Sequence, residues 1–285
     1  MALTNFIPTI WSARLLLRLQ NELVYGQPGV INRDYEGEIG ALGDTVRIND
    51  IGDINVFDYT RNTPMADPQV LTDATTSLQI TQSKAFNFAI DDLDKAQGKP
   101  AVMDRAMQNA AYALKATADS FVASKYVDVD AGNIIGSDGT PKTIPSSDKA
   151  YEFLVDLATL LNEDNVPEMN RWVIVPAWFH GVMLKDPRFI MNPSNMADTA
   201  IKNGKVAQAA GFDVLLSNNV PNVAGAKFKV LAGHAIAWSY AEQISKIEAY
   251  RPEKLFADGV KGLHLYGAKV AKPKALAMLI VDRPA

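Results

Sequence analysis

Three groups of side chains could do chemistry in this chain of 285 residues. Asp91, Asp92 and Asp94 stand together just before a long apolar-periodic run. Such a trio can hold a divalent cation. The plainer reading is a turn and helix start, where negative charge favours exposed N–H groups. Asp128, Asp130 and Gly132 begin like a calcium loop, but position 12 from Asp128 is Gly139, where that loop needs a bidentate Glu. His180, His234 and His264 are the only histidines, and no two have the spacing of a helical metal pair. Each is expected to be structural. Gly37, Gly40 and Gly43 read G-x-x-G-x-x-G, not the G-x-G-x-x-G of a dinucleotide loop. There is no G-x-S-x-G elbow and no Walker loop. Carboxylates are common enough to leave an acid/base pair open. No catalytic, cofactor-binding or metal-binding residue is assigned, and no cofactor is expected.

The element that must organise these groups is residues 99–126. Met103, Met107, Ala110, Leu114, Thr117 and Phe121 recur with the three-then-four spacing of one helical face. Pro100 suits a first turn, and alanine, the best helix former, fills much of the rest. The spacing predicts a helix about 40 Å long, a spine with elements braced on both sides.

Before the spine the chain reads as extended. Residues 8–25 predict an amphipathic helix with Trp11, Leu15, Leu19 and Leu23 on one face and Arg14, Arg18 and Glu22 on another. It packs either on its own domain or on a neighbouring subunit. Thr45, Val46, Arg47 and Ile48 alternate, residues 60–75 are turn-rich with Pro64 and Pro68, and residues 77–90 alternate again. Leu78, Ile80, Phe86, Phe88 and Ile90 share a face there, opposite Gln79, Thr81, Ser83 and Asn87. A strand of that length exceeds the usual range, so it is expected to bend or break. The two runs predict a projecting hairpin that needs something to lie on, its Phe86 and Phe88 face packing on a core or a neighbour.

After the spine the pattern is mixed. A helix capped by Ser146 or Ser147 is predicted through Leu161, with Tyr151, Leu154, Leu157 and Ala158 facing inward. Residues 171–175 read as a buried strand and Pro176 opens a helix. Asn203-Gly204 is a turn signal, and a strand pair is expected around Gly211. Residues 227–231 and 234–239 read as strands around Gly233, followed by strands at 246–251, 262–270 and 276–281. Short helices among strands predict an α+β fold.

Composition narrows the function classes. With 48% hydrophobic and 21% charged residues, the chain is globular. A net charge of -4 argues against a protein held together mainly by nucleic acid. The absence of cysteine excludes disulfide scaffolds and thiolate metal sites and fits a cytosolic origin. No run of about 18 apolar residues exists to span a membrane, and Arg14 and Arg18 interrupt the only apolar stretch near the start, so no signal peptide is expected.

Three short patterns, in order, carry a family resemblance. Arg171-Trp172-Val173-Ile174-Val175-Pro176, followed by Leu184, Asp186 and Phe189, resembles the strand–Pro–helix segment of tailed-phage major capsid proteins. Gly204-Lys205-Val206, Gly211-Phe212-Asp213-Val214 and Ser217-Asn218-Asn219-Val220-Pro221 are similar to the next hallmark of that family. Ala235-Ile236-Ala237, Ala241-Glu242-Gln243-Ile244, Ile247-Glu248, Phe256-Ala257-Asp258 and Tyr266-Gly267 resemble its closing segment.

The resemblance implies an N-terminal arm at 1–43, an extended hairpin loop at 44–90, and a peripheral domain with the spine helix at 91–128. An axial domain at 129–240 and a return to the peripheral domain at 241–285 complete it. It implies a structural, non-enzymatic subunit that self-assembles into hexamers and pentamers of an icosahedral head enclosing double-stranded DNA. Scaffolding protein, portal and head decoration proteins are the implied partners, with non-specific DNA contact and no membrane. The implied place is the virion, after assembly in the host cytoplasm. The chain looks too short for the inserted β-domain of some relatives. The hairpin tip at 61–67 lacks the lysine that cross-links others, and Lys84 lies well down the strand. The alternatives are an encapsulin-like nanocompartment subunit, which shares the fold, and a soluble enzyme with an unrecognised carboxylate site. A self-associating surface-layer protein is a third.

Overall fold

In a computed structural model, residues 24–35, 43, 45–51, 56, 58–59, 61–62, 67, 73–91, 102–144, 147–186, 208–223 and 225–283 are described. The arm helix predicted at 8–25, apart from Val24 and Tyr25, the turn at 203–204, and Asp92 and Asp94 lie outside them.

The extended half begins with a ribbon. β1 (Thr45–Ile51) pairs antiparallel with β2 (Asp73–Gln79), from Thr45↔Gln79 to Ile51↔Asp73. The long alternating run does break, at Ile80 and Thr81, and its second half becomes β3 (Gln82–Asp91) in a different sheet. The period of two survives the break: Leu78, Ile80 and Ile90 are buried while Gln79, Thr81, Ser83 and Asn87 are exposed. Phe86 and Phe88 stack with centroids 6.0 Å apart and pack on the chain's own main core.

The spine is α1 (Val102–Ala123), which tightens into a 3-10 turn over Ser124–Asp128. Its buried stripe runs through Ala111, Leu114, Ala118 and Val122, with Met107 and Phe121 half-buried beside it. This corrects the predicted face at Thr117, which is exposed and whose Oγ1 donates 2.8 Å to the Ala113 carbonyl. The small Ala118, one residue on, lets the helix lie close on its sheet.

The second half is built on a buried sheet. β4 (Ile134–Ile135) and β5 (Lys142–Thr143) precede α2 (Ser147–Glu163). α2 buries Leu154, Leu157 and Leu161 of the predicted stripe, with Ala150 beside them, while the predicted Tyr151 and Ala158 are half-buried. β6 (Arg171–Val175) is buried along its whole length, as its unbroken apolar run requires. Pro176 is the N-cap of α3 (Ala177–Met183). β7 (Gln208–Ala209) and β8 (Phe212–Leu216) form the expected pair, turning through Ala210 and Gly211. Both turn residues have positive φ, 51° and 82°, the mirror-image turn that matches strand twist.

Beyond that the strands are longer than their sequence suggests. β9 (Phe228–His234) runs through Gly233, and one 3-10 turn leads into β10 (Trp238–Tyr250), a single strand of 13 residues. Gly233 is therefore not a turn. A Cβ there would sit 2.7 Å from both the Ala275 carbonyl oxygen and Leu276 Cδ2, so glycine permits a close crossing. β11 (Ala257–Val270) returns antiparallel to β10, and β12 (Leu276–Asp282) closes the chain.

Two sheets result. One has the order β10-β11-β3 with α1 packed on it. The other has seven strands in the order β4-β12-β9-β6-β8-β7, with β5 also on β12 and α2 packed against β12. Residues 241–285, expected as one returning segment, thus divide between the sheets. A continuous apolar core joins them, and at its centre Trp172 of β6 stacks on Trp238 of β10, 5.3 Å apart and 8° from parallel. A small second core of Leu78, Ile80, Ala241 and Leu265, with Tyr35 and Leu263 packed on it, lies beneath the root of the ribbon.

The ribbon's root crosses β11 at Gly267, where a Cβ would overlap the Gln79 carbonyl oxygen. Gly267→Ala should therefore destabilise by about 1–3 kcal/mol, because backbone rather than a flexible side chain must yield. Gly181, inside α3 with open space around it, is the control: Gly181→Ala should stabilise by about 0.5–1 kcal/mol. Thermal unfolding of the two variants should move in opposite directions.

Candidate functional site: a buried polar clamp and the exposed surfaces around it

The groups singled out for chemistry are scattered and locally occupied. Asp91 is exposed at the end of β3. Asp130 caps a 3-10 turn, accepting 2.9 Å from the Gly132 N–H. His180 lies on α3, where burial lowers its pKa. His234 ends β9, and its Nδ1 accepts 3.2 Å from the Ile236 N–H. Burial lowers the pKa of His234, and the nearby Arg171 charge lowers it further. No group of three or more His, Asp or Glu among the described residues could hold a metal ion.

Sequence reading missed the polar cluster that the fold builds around Glu242. Residues 24–35 strap across β10: the Asn32 N–H donates 3.1 Å to the Trp238 carbonyl, the Tyr240 N–H donates 2.9 Å to the Asn32 carbonyl, and Trp238 Nε1 donates 2.7 Å to the Val30 carbonyl. Arg33 of the strap pairs with Glu242, donates 2.9 Å to the Gly26 carbonyl and stands 5.4 Å above the Tyr240 ring. The other Glu242 oxygen accepts from the Tyr240 hydroxyl at 2.7 Å and from His264 Nε2 at 3.1 Å. Burial alone would raise the Glu242 pKa. The His264 hydrogen bond, the Arg33 charge and the Tyr240 hydroxyl outweigh it and hold the carboxyl below the ordinary range. Tyr240 is pushed up, first by burial and then by Glu242.

At the other end of the strap, Asp119 of α1 is fully buried and accepts from the Val24 N–H at 3.0 Å and the Gly26 N–H at 3.4 Å. Burial raises its pKa while these N–H groups pull it back. Asp119 and Glu242 thus fasten one segment to the spine and to β10. Both side chains are enclosed and spend their acceptors on protein groups, so the cluster is a clamp and offers no substrate a reactive atom.

A cleft of about 450 Å³ is lined by Glu168, Arg171, Gln208 and Asp213 among others. Its guanidinium is committed: Arg171 Nε donates 2.8 Å to the Pro167 carbonyl and Nη2 donates 2.6 Å to that of Val166. What the surface does carry is apolar side chains at extremities. Val56 and Tyr59 are exposed within the ribbon's connection, and Leu255 and Phe256, the latter 82% exposed, stand at the β10–β11 turn.

A family model described as phage capsid protein matches residues 73–279. The chain belongs to the phage capsid protein family. Its fold is that of solved phage capsid structures. A chain from Mycobacterium phage Che8 is 26% identical with a TM-score of 0.68, covering 87% of this chain and 88% of that one. The capsid structure of cyanophage P-SCSP1u is 16% identical with a TM-score of 0.69, over 89% and 86% of the two chains. A virus-like particle from Pyrococcus furiosus is 13% identical with a TM-score of 0.53, over 96% and 99%. No curated protein sequence matches. Family and fold agree with the resemblance read from residues 171–267 and point to a structural rather than a catalytic protein. In this capsid protein the clamp that fixes the strap and the exposed apolar side chains Val56, Tyr59, Leu255 and Phe256 are then the features that matter.

Proposed function

We propose that this capsid protein is the principal subunit of a phage head, whose copies form hexamers and pentamers and close into an icosahedral shell around double-stranded DNA. The observation that carries this reading is the β1–β2 ribbon, a two-stranded sheet with no further strand partner among the described residues and with Val56 and Tyr59 of its connection exposed. An isolated ribbon is marginal in water, so its stability is best supplied by a neighbouring copy. Contacts between unlike patches close into rings and shells when their rotation closes. The ribbon offers such a patch, and the clamp fixes the chain that leads to it.

In this reading residues 1–43 serve as the arm and 44–90 as the hairpin loop. The three-stranded sheet with the spine is the peripheral part, and the seven-stranded sheet is the axial part. Scaffolding, portal and decoration proteins are its partners during and after assembly in the host. A net charge of -4 suits a container that must release its DNA, since a strongly basic lining would bind phosphate tightly. A nanocompartment holding a protein cargo would use the same shell geometry. The family match to phage capsid protein favours the head.

Replacing residues 61–67 with a short glycine linker tests the reading. The variant should fold with unchanged circular dichroism and fail to form closed particles in size-exclusion chromatography and electron microscopy. Normal particles from that variant would overturn the role given to the hairpin.

A further inference from the structure

The strap over residues 24–35 is fastened at its two ends by groups of unlike chemistry. At its start, Asp119 of α1 accepts the Val24 and Gly26 N–H groups. Tyr25, Val30 and Ile31 are buried and seat this half in the core. Past Ile31 no residue of the strap is buried: Asn32, Arg33 and Tyr35 are half-buried and Asp34 is exposed. That end is held by the backbone bonds of Asn32 to Trp238 and Tyr240 and by the pair of Arg33 with Glu242. A cleft of about 300 Å³, lined by Ile31, Arg33, Asp34 and Ile236 among others, lies against it and gives it room to lift. The same end bears on the ribbon. Tyr35 packs on the second core, which joins Leu78 and Ile80 of the ribbon's root to Ala241 and Leu265. The Gly43 N–H donates 3.1 Å to the Ile80 carbonyl at that root, and Glu242 directly follows Ala241.

We propose that the Arg33–Glu242 pair is the lock of a conformational switch: neutralising the carboxylate lifts residues 32–35 and loosens the ribbon's root, while the Asp119 end stays fastened. The groups that face Glu242 are Arg33 of the strap, Tyr240 of β10 and His264 of β11. Tyr266 of β11 lies 6.4 Å from the Tyr240 ring, and Lys84 of β3, opposite His264 in the register, is exposed. Cations and donors thus surround the carboxylate, and its protonation removes the negative charge that Arg33 meets. Burial opposes that charge, but the His264 hydrogen bond and the Arg33 charge outweigh burial and keep the carboxyl below its ordinary range. The lock is therefore closed at neutral pH and opens as pH falls through the lowered value. Asp119, with Lys115 and Tyr25 facing it, is shifted the other way by burial, so its end gains stability as pH falls between its folded and unfolded values. Acid loosens one end only.

Hydrogen exchange resolved to single amides on the unassembled full chain tests this, each rate taken relative to intrinsic exchange at the same pH. Between about pH 7 and about pH 3, the Asn32, Tyr240 and Gly43 amides should lose protection about tenfold or more before the β6 amides lose any, while Val24 and Gly26 keep theirs. In Glu242→Gln the same three amides should already be faster at pH 7. If that variant does not fold, the wild-type titration alone decides. Loss at Val24 and Gly26 together with Asn32 would overturn the one-ended release. Loss of every amide together with β6 would overturn the switch, since only global unfolding would then occur. Unchanged protection at Gly43 while Asn32 and Tyr240 open would overturn the link to the ribbon. The test uses single subunits, so its outcome does not depend on whether shells form.

Discussion

Trp238→Ala should cost this capsid protein about 3–5 kcal/mol of folding stability, a large share of the roughly 5–15 kcal/mol that a domain has. The indole is fully buried, stacks on Trp172 at 5.3 Å and meets Tyr25 edge-on at 6.4 Å. It joins β10, β6 and the strap in one contact, so its loss opens a cavity where both sheets and the N-terminal segment meet. Its Nε1 also donates to the Val30 carbonyl. Trp238→Phe keeps most of the apolar volume and orphans that carbonyl, and should cost less, about 1–3 kcal/mol. Equilibrium urea unfolding followed by circular dichroism measures both. A loss below about 1 kcal/mol for the alanine variant would mean that the two sheets do not share this core.

Glu242→Ala should be nearly as damaging, about 3–5 kcal/mol, for a different reason. It leaves Arg33 buried without its carboxylate and strips Tyr240 and His264 of their acceptor. Glu242→Gln keeps an acceptor but not the charge, and should fall between the wild type and alanine. The wild-type clamp carries a pH signature. The folded pKa of Glu242 lies below its unfolded value, so its contribution is complete above the ordinary carboxylate range and is lost as pH falls through the folded value. Asp119 has the opposite sign: its folded pKa is raised, so stability from that group increases as pH falls between its folded and unfolded values. Melting temperatures compared at neutral pH and below about pH 4 should therefore show a smaller acid loss in Glu242→Gln than in the wild type. An identical acid loss in both would assign it to other carboxylates.

What was legible in the sequence was what repeats locally. The spine, the helix α2 and the buried face of residues 78–90 follow from spacing within one segment, although the buried stripe of the spine is turned from Thr117 to Ala118 and that of α2 takes in Ala150. The break at Ile80 followed from length alone. What stayed hidden depends on partners far away in the chain. Arg33 and Glu242 are 209 residues apart, and nothing near either signals the other. Neither Glu242 nor His264 stands out in its own strand, since β10 also carries Gln243, Lys246 and Glu248 and β11 also carries Asp258, Lys261 and Lys269. Gly233 looked like a turn because glycine usually marks one. The Ala275 carbonyl beside it, which makes glycine necessary, is brought there by the pairing of β9 with β12. The division of residues 241–285 between two sheets was hidden for the same reason.

Electron microscopy of the purified protein, expressed alone and then with its neighbouring genes, is the most direct test of the central claim. The account predicts closed particles or tubes of uniform curvature under at least one of the two conditions. A discrete small oligomer under both, with the fold intact, would contradict it.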